Sequence, residues 1–265
     1  MRRPTDTPGS SRLRWIGFTT FVVRSYEDIV RYFYMTVAPS VVTTALYFIV
    51  FGILIGPSIG SIGGFTYKEY IAPGLIAMPI IANAYSQASL SFFTAKMHRL
   101  LDEHLVSPQP SWMIVVSYVA GGSLRGILVG ASVSVVVLLF AQMSVEHFLP
   151  MIGALLLTAL VSSLAGLING VFAKTFDQAT WISSLVLTPL TYLGGVFYSV
   201  SLLPAWAQEV SRANPIFYLV NLFRFCMLGV SDVHVGIAVS VISVAAVAMF
   251  FLAATLMKRG VGIRE

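Results

Sequence analysis

Residues 113–141 read MIVVSYVAGGSLRGILVGASVSVVVLLFA, a run in which Arg125 is the single charged side chain. As a helix it would extend about 43 Å, more than the ~30 Å hydrocarbon thickness of a bilayer. Its Val, Ile, Leu, Gly and Ala do not alternate with polar residues, as a barrel strand of roughly ten residues would require. Five further runs share this character: Val37 to Gly56, Tyr70 to Thr94, Leu149 to Phe172, Trp181 to Phe197 and Val235 to Met257. Composition agrees, with 57% apolar and 10% charged residues against roughly 45–50% and 25% in an ordinary soluble domain. The expectation is an all-α membrane protein with six transmembrane helices.

Ionisable residues set both the orientation and the chemistry. With the amino end in the cytoplasm, Arg2, Arg3, Arg12, Arg14, Arg24, Arg31, Lys96, Arg99, Lys174, Lys258, Arg259 and Arg264 fall inside, and Lys68, Arg212 and Arg224 outside. That asymmetry predicts a multi-pass topology with both termini cytoplasmic. The net charge of +5 is then a positive-inside bias facing anionic lipid, and nucleic-acid binding is not needed to explain it. Arg125 remains, placed about two turns inside its run. It either snorkels to the interface and caps backbone carbonyls, or faces a passage.

No carboxylate or imidazole falls within the six runs. Glu69, Glu146, Glu209 and Asp232, like His98, His104, His147 and His234, lie in connections. This argues against an ion-coupled secondary transporter, which needs such a group at membrane depth. An intramembrane enzyme is equally disfavoured, because no HExxH, acidic pair or Cys/His pair occurs in the runs. Cys226 is the single cysteine, which excludes an internal disulfide and a cysteine metal site. No catalytic, cofactor-binding or metal-binding residue is predicted, and no GxxxxGK[ST] phosphate loop is present. A non-transporting assembly subunit stays open, since it would share the same packing features.

Residues 1–34 form a unit of their own, a tail followed by an amphipathic helix. Trp15, Phe18, Val22, Tyr26, Ile29 and Phe33 recur every three or four residues, with Arg24, Glu27, Asp28 and Arg31 opposite. Such a helix lies in the cytoplasmic lipid interface, apolar face down. The first apolar run begins too late for a cleavable signal peptide. Residues 35–258 make up the membrane domain, and residues 259–265 a cytoplasmic tail.

Small residues mark close helix contacts: Gly122, Gly126, Gly130 and Ser134 in the third run, and Ser162, Gly166 and Gly170 in the fourth. In the second run Asn83 and Gln87 share a face, and either bond to neighbouring helices or line a polar passage together with Arg125. Pro73, Pro79 and Pro189 should bend or loosen their helices.

Two connections carry further information. Residues 95–106 read AKMHRLLDEHLV, with Met97, Leu100, Leu101 and Leu105 on one side and Lys96, Arg99, Asp102 and Glu103 largely on the other. This predicts a short cytoplasmic helix between the second and third spans, stopped by Pro108 and Pro110. Residues 189–224 are too apolar for a free loop, yet Gly194, Gly195, Pro204, Asn214 and Pro215 cut them too short to cross twice. A re-entrant hairpin on the outer face fits, with Trp206, Phe217, Tyr218 and Phe223 near the headgroup level.

The order of these features, together with LVSPQPSW at 105–112 and GGVFYSVSLLPAWAQEVSRANPIFYLVNLFR at 194–224, resembles the ABC-2 type transporter permeases. The resemblance runs from about Trp15 to Lys258. It is most specific where Gly194 and Gly195, Phe197 and Tyr198, Leu203 and Pro204, Asn214 and Pro215, and Arg224 supply the family's paired motifs. That family includes exporters of capsular and O-antigen polysaccharide, nodulation factors and drugs. The resemblance implies a permease subunit in a bacterial cytoplasmic (inner) membrane, forming with a second copy the pathway for a lipid-linked, glycan or hydrophobic substrate. It implies separate ATP-binding cassette subunits that hold ATP and Mg, and membrane lipids as neighbours. The segment Lys96 to Leu105 would then be the ATPase-coupling helix, the amino-terminal helix the interface helix, and the turn at Lys174 to Gln178 a smaller cytoplasmic contact.

Overall fold

The computed structural model describes residues 33–98 and 110–261. Helix α1 (Phe33–Tyr47) passes unbroken into a π-helical stretch (Phe48–Ile55) and a last turn (Gly56–Ile59). A two-residue ladder follows, β1 (Ser61–Ile62) against antiparallel β2 (Phe65–Thr66). Then come α2 (Tyr67–Met97), α3 (Ser111–Ala141) and α4 (Phe148–Phe172). Helix α5 (Phe176–Ile182) continues through a π segment (Ser183–Leu187) into α6 (Thr188–Leu193). The chain closes with α7 (Ala205–Ala213), α8 (Pro215–Leu228) and α9 (Val235–Arg259).

Among the described residues, four helical runs are long and apolar enough to cross a membrane: Tyr34–Ile59, Ser111–Ala141, Phe148–Phe172 and Val235–Arg259. Helix α2 matches α3 in length, at 31 residues each. Its apolar character is diluted by Pro73, Pro79, Asn83 and Gln87, which it tolerates because it sits at the centre of the bundle. Ile71, Ala72, Ile76, Ala77, Ile80, Ala84 and Ala88 are all sealed from solvent. Flanked by protein rather than lipid, this helix has less need of a continuous apolar surface. A capping box starts it: Thr66 N and Oγ1 donate to Glu69 Oε2 at 2.9 and 2.7 Å. Those Thr66 bonds hold the Glu69 carboxyl below its ordinary range.

The glycine ladders explain how α3 and α4 approach α2. A Cβ on Gly122 would lie 2.8 Å from Ala84 O, on Gly126 2.8 Å from Ala84 Cβ, and on Gly170 2.6 Å from Ser89 O. Gly166 is tighter still, at 2.1 Å from Tyr85 O. Neighbouring backbones meet where side chains have been removed, so dispersion replaces the hydrophobic force that lipid cannot supply.

Several expected boundaries shift. The second run extends to Met97, so Lys96 and Met97 belong to the last turn of α2, with His98 as its C-cap. No breaker separates them from the residues before, and the helix runs on. The fifth run ends at Leu193, because Gly194 caps it and Gly195 adopts φ +78°. Val196 and Phe197 therefore belong to a turn. Phe217 and Phe223 are enclosed in the core, 1% and 0% exposed, while Trp206 is 72% exposed. The headgroup placement therefore does not describe those two phenylalanines: α8 is walled in by α2, α4 and α9, and burial outweighs an interfacial preference. The interface-helix residues Trp15, Phe18, Val22, Arg24 and Arg31 lie outside the described residues, as do Arg99, Leu100, Leu101, Asp102, Glu103 and Leu105.

Candidate functional site

A cavity of about 310 Å³ opens between α1, α2 and α6. Its wall carries the hydroxyls of Ser40, Thr43, Thr44, Tyr47, Thr188 and Tyr192, interspersed with Leu75, Met78 and Pro79. Asn83 sits on this wall and donates through Nδ2 to Ser40 Oγ at 3.1 Å and to Pro79 O at 2.9 Å. Two features loosen the helices here. Pro39 and Pro79 remove backbone donors, and the π segments at 48–55 and 183–187 adjoin the lining residues Tyr47 and Thr188. Aromatic rings gather beside two of the lining residues. Tyr47 and Tyr192 share a hydroxyl–hydroxyl bond of 3.2 Å, and the Phe197 ring lies tilted with its centroid 4.7 Å from that of Phe51 and 5.7 Å from that of Tyr192.

Gln87 lies one turn beyond Asn83 on the same face of α2, and there Arg125 enters from α3. Arg125 Nη1 donates to Gln87 Oε1. The arginine stands fourteen residues after Ser111, about four turns into its helix rather than two. Its acceptor is the partly buried side-chain amide of Gln87.

At the end away from Lys96, the turn 194–199 is fastened from α2 and α8. Tyr67 Oη donates to Phe197 O at 3.0 Å, and Arg224 Nη2 to Gly195 O at 2.7 Å. Asn214 Nδ2 donates to Leu190 O, and its Oδ1 accepts from Ile216 N at 3.0 Å, capping α8. Val196 is buried against Gly74, where a Cβ would lie 2.8 Å from Val196 Cα. Arg224 is itself 1% exposed. Nη1 pairs with Asp232 Oδ2 at 3.0 Å, and the guanidinium lies 4.2 Å over the Tyr70 ring. Gly194, Gly195, Phe197, Asn214, Pro215 and Arg224 thus meet around one turn. Tyr198 and Pro204 border it, and Trp206 points away.

At the opposite, basic end, Lys96 Nζ donates to Val171 O at 3.1 Å and Ala173 O at 3.0 Å. It caps the C-terminus of α4, where a cation meets orphan carbonyls and the negative end of the helix dipole. Asn169 Nδ2 bonds both Ser89 Oγ and Ala179 O at 2.9 Å, fastening α5 to the same place. Lys174 N donates to Gln178 Oε1 at 2.8 Å, so the turn expected as a second cytoplasmic contact is ordered beside α2.

Sequence reading missed Asp232, Tyr70, Ser40, Tyr47 and Tyr192. Asp232 offered a weak signal, an acid eight residues after an arginine, but the left-handed Gly229 between them directs the pairing and leaves no periodicity to follow. The tyrosines read as ordinary apolar-run residues, because their hydroxyl partners lie 145 positions apart.

A helical body crossing a membrane, with a hydroxyl-lined groove beside its central helix, defines a membrane transport subunit. The profile of the ABC-2 type transporter family matches residues 17–228, and the chain belongs to that family as a transmembrane permease subunit. The inner membrane transport permease YadH of Escherichia coli (strain K12) is 44% identical over 253 residues, covering 96% of this chain and 99% of its own. Nodulation protein J of Rhizobium leguminosarum bv. trifolii is 28% identical over 218 residues, 81% of this chain and 82% of its own. Nodulation protein J of Rhizobium meliloti (strain 1021) is 25% identical over 215 residues, with the same coverage.

Proposed function

We propose that this permease is half of an exporter in a bacterial inner membrane, two copies enclosing the passage and two separate ATPase subunits driving it with Mg-ATP. The observation that carries this reading is the hydroxyl-lined groove between α1, α2 and α6, whose wall includes Asn83. Mixed hydroxyls and hydrocarbon suit a substrate with polar and apolar parts, such as a lipid-linked glycan or another amphiphile. Six spans fit the fold: the four apolar runs, the central α2, and the helical path from Phe176 to Leu193, about 27 Å long at 1.5 Å per residue. Pro215, Ile216 and Leu219 share an apolar cavity of about 190 Å³ with Ile81, Tyr85 and Ile182. This sets the start of α8 beside α2 and α5.

Coupling is assigned to the cytoplasmic segment from Lys96 to Leu105, with Met97 already 60% exposed at its start. Replacing Leu100 and Leu101 together by Asp removes apolar surface worth roughly 1.5–3 kcal/mol per buried side chain. Membrane insertion should persist, while copurification of the cognate ATPase should fall. Wild-type recovery of the ATPase by the double variant would remove that segment from the docking surface. Vanadate-sensitive hydrolysis by the pure permease alone would overturn the division of labour.

A further inference from the structure

A polar cavity of about 280 Å³ opens at the end of the bundle away from Lys96. It shares no lining residue with the groove between α1, α2 and α6. Distant parts of the chain supply its wall: Phe65 from β2, Tyr70 from α2, Ser199 and Ser201 from the end of the 194–199 turn and just beyond it, and Arg224 with Asp232 from α8 and the loop that follows. Small-molecule sites begin at roughly 300 Å³, so this volume suits a single ring rather than an extended chain.

The polar groups of the wall are fixed by the protein itself. Ser199 Oγ donates to Asp232 Oδ1 at 3.2 Å and shares a 2.7 Å bond with Ser201 Oγ. Arg224 Nη1 donates to Asp232 Oδ2 at 3.0 Å, and Asp232 N donates to Asn221 Oδ1 at 2.9 Å, which ties the loop to α8. A carboxylate offers about four lone-pair sites, and these two bonds leave about two of them unused on Asp232. Its side chain is 22% exposed and that of Arg224 is 1% exposed, so the carboxylate is the half of the pair that a ligand can reach. Tyr70 Oη and Arg224 Nε, in the same wall, are buried without a hydrogen-bond partner.

Charge and hydrogen-bonding capacity together select the ligand. Arg224 and Asp232 are the charged residues of the lining, and they cancel. An anion would meet the exposed carboxylate, while a cation would stand in the field of a guanidinium held between Gly195 O and the Tyr70 ring. A neutral hydroxyl meets neither obstacle. Its hydrogen can serve Asp232, and its oxygen can accept from donors of the wall that have no partner. Half-buried Phe65 and exposed Val230 set apolar surface beside these groups, which matches a ligand with hydroxyls on its edge and C–H groups on its face. We infer that this cavity binds an uncharged polyol, with two neighbouring hydroxyls of a sugar ring donating to Asp232. The assignment does not rest on the groove or on the direction of transport.

The test uses the full permease copurified with its ATPase in a polyoxyethylene detergent, which brings no sugar of its own. Native mass spectrometry measures binding of the methyl glycosides of glucose, mannose and rhamnose, of octyl glucoside, and of the charged sugars glucuronate and glucosamine. Wild type is compared with Asp232→Asn, Ser201→Ala and Val230→Trp, the last placing a large ring at the mouth of the cavity. The expected result is retention of at least one methyl glycoside by wild type, weakened about tenfold or more in Asp232→Asn, less in Ser201→Ala, and lost in Val230→Trp. Octyl glucoside bound without the methyl glycosides, and with the same dependence on the variants, would support the site with a glycolipid head as its source. Binding of no uncharged sugar, equal binding by wild type and Asp232→Asn, or a preference for glucuronate or glucosamine would overturn it. If Asp232→Asn does not fold, Val230→Trp decides: lost binding at an unchanged melting temperature supports the site, and unchanged binding overturns it. ATPase copurification in the same samples reports separately on the transporter reading, so an intact complex that binds no sugar refutes this inference alone.

Discussion

Arg224 shows how a single side chain can hold the 194–199 turn in place. Its guanidinium joins Gly195 O, Asp232 and the Tyr70 ring, so three segments far apart in sequence converge on one residue that is 1% exposed. A buried charge of this kind is costly once its partner is removed. Asp232→Asn should therefore cost about 3–5 kcal/mol, while the double variant Arg224→Met with Asp232→Asn should recover part of that loss. Thermal unfolding of the purified permease in detergent measures both. A double variant no more stable than Asp232→Asn would mean that the arginine contributes mainly by packing. The motif Gly194, Gly195, Asn214, Pro215 and Arg224 was visible in the sequence as a pattern. Its mechanism was not visible, because Tyr70 and Asp232 are supplied by α2 and by the loop before α9.

Element by element, the glycine ladders were the most legible feature. Their four-residue period is a helix-face period, and the matching small residues of α2, Ala84, Ala88 and Ser89, stand on the surface they meet. Helix ends were less legible. Lys96 and Met97 read as the start of an amphipathic cytoplasmic helix, yet they finish α2, since one apolar stripe can serve an interior helix and an interfacial one without a break. The ladder also separates packing from mere composition. Gly166→Ala places a methyl against Tyr85 O and should destabilise by roughly 1–3 kcal/mol, as overpacked cores do. Gly153, on the same helix, has open space where its Cβ would stand. Gly153→Ala should be neutral or stabilising by up to about 1 kcal/mol through helix propensity. Equal melting temperatures for the two variants would reject the close approach of α2 and α4.

Across the whole molecule, hydropathy alone picks out four long apolar helices and passes over α2, the helix that organises the bundle, because it is shielded by the others and carries Asn83, Gln87 and two prolines. The segment 194–224 has the converse property. It is apolar enough to look like a span, but α7 and α8 are short and meet at Asn214, whose side chain bonds α6 and caps α8 at once. This geometry predicts a labelling pattern that neither a loop nor a simple span would give. In a Cys226→Ala background, single cysteines are probed from outside with a membrane-impermeant maleimide. Positions 206 and 209, exposed on α7, should react, whereas 196, 200, 211 and 217, all buried, should be protected. The alternation within α7 is the informative part, because residue 211 follows 209 by two positions and faces inward. Uniform reactivity from 196 to 217 would indicate a free loop, and no reactivity from outside would place the segment on the cytoplasmic face. Either result would reject the proposal that this segment is a re-entrant hairpin on the outer face.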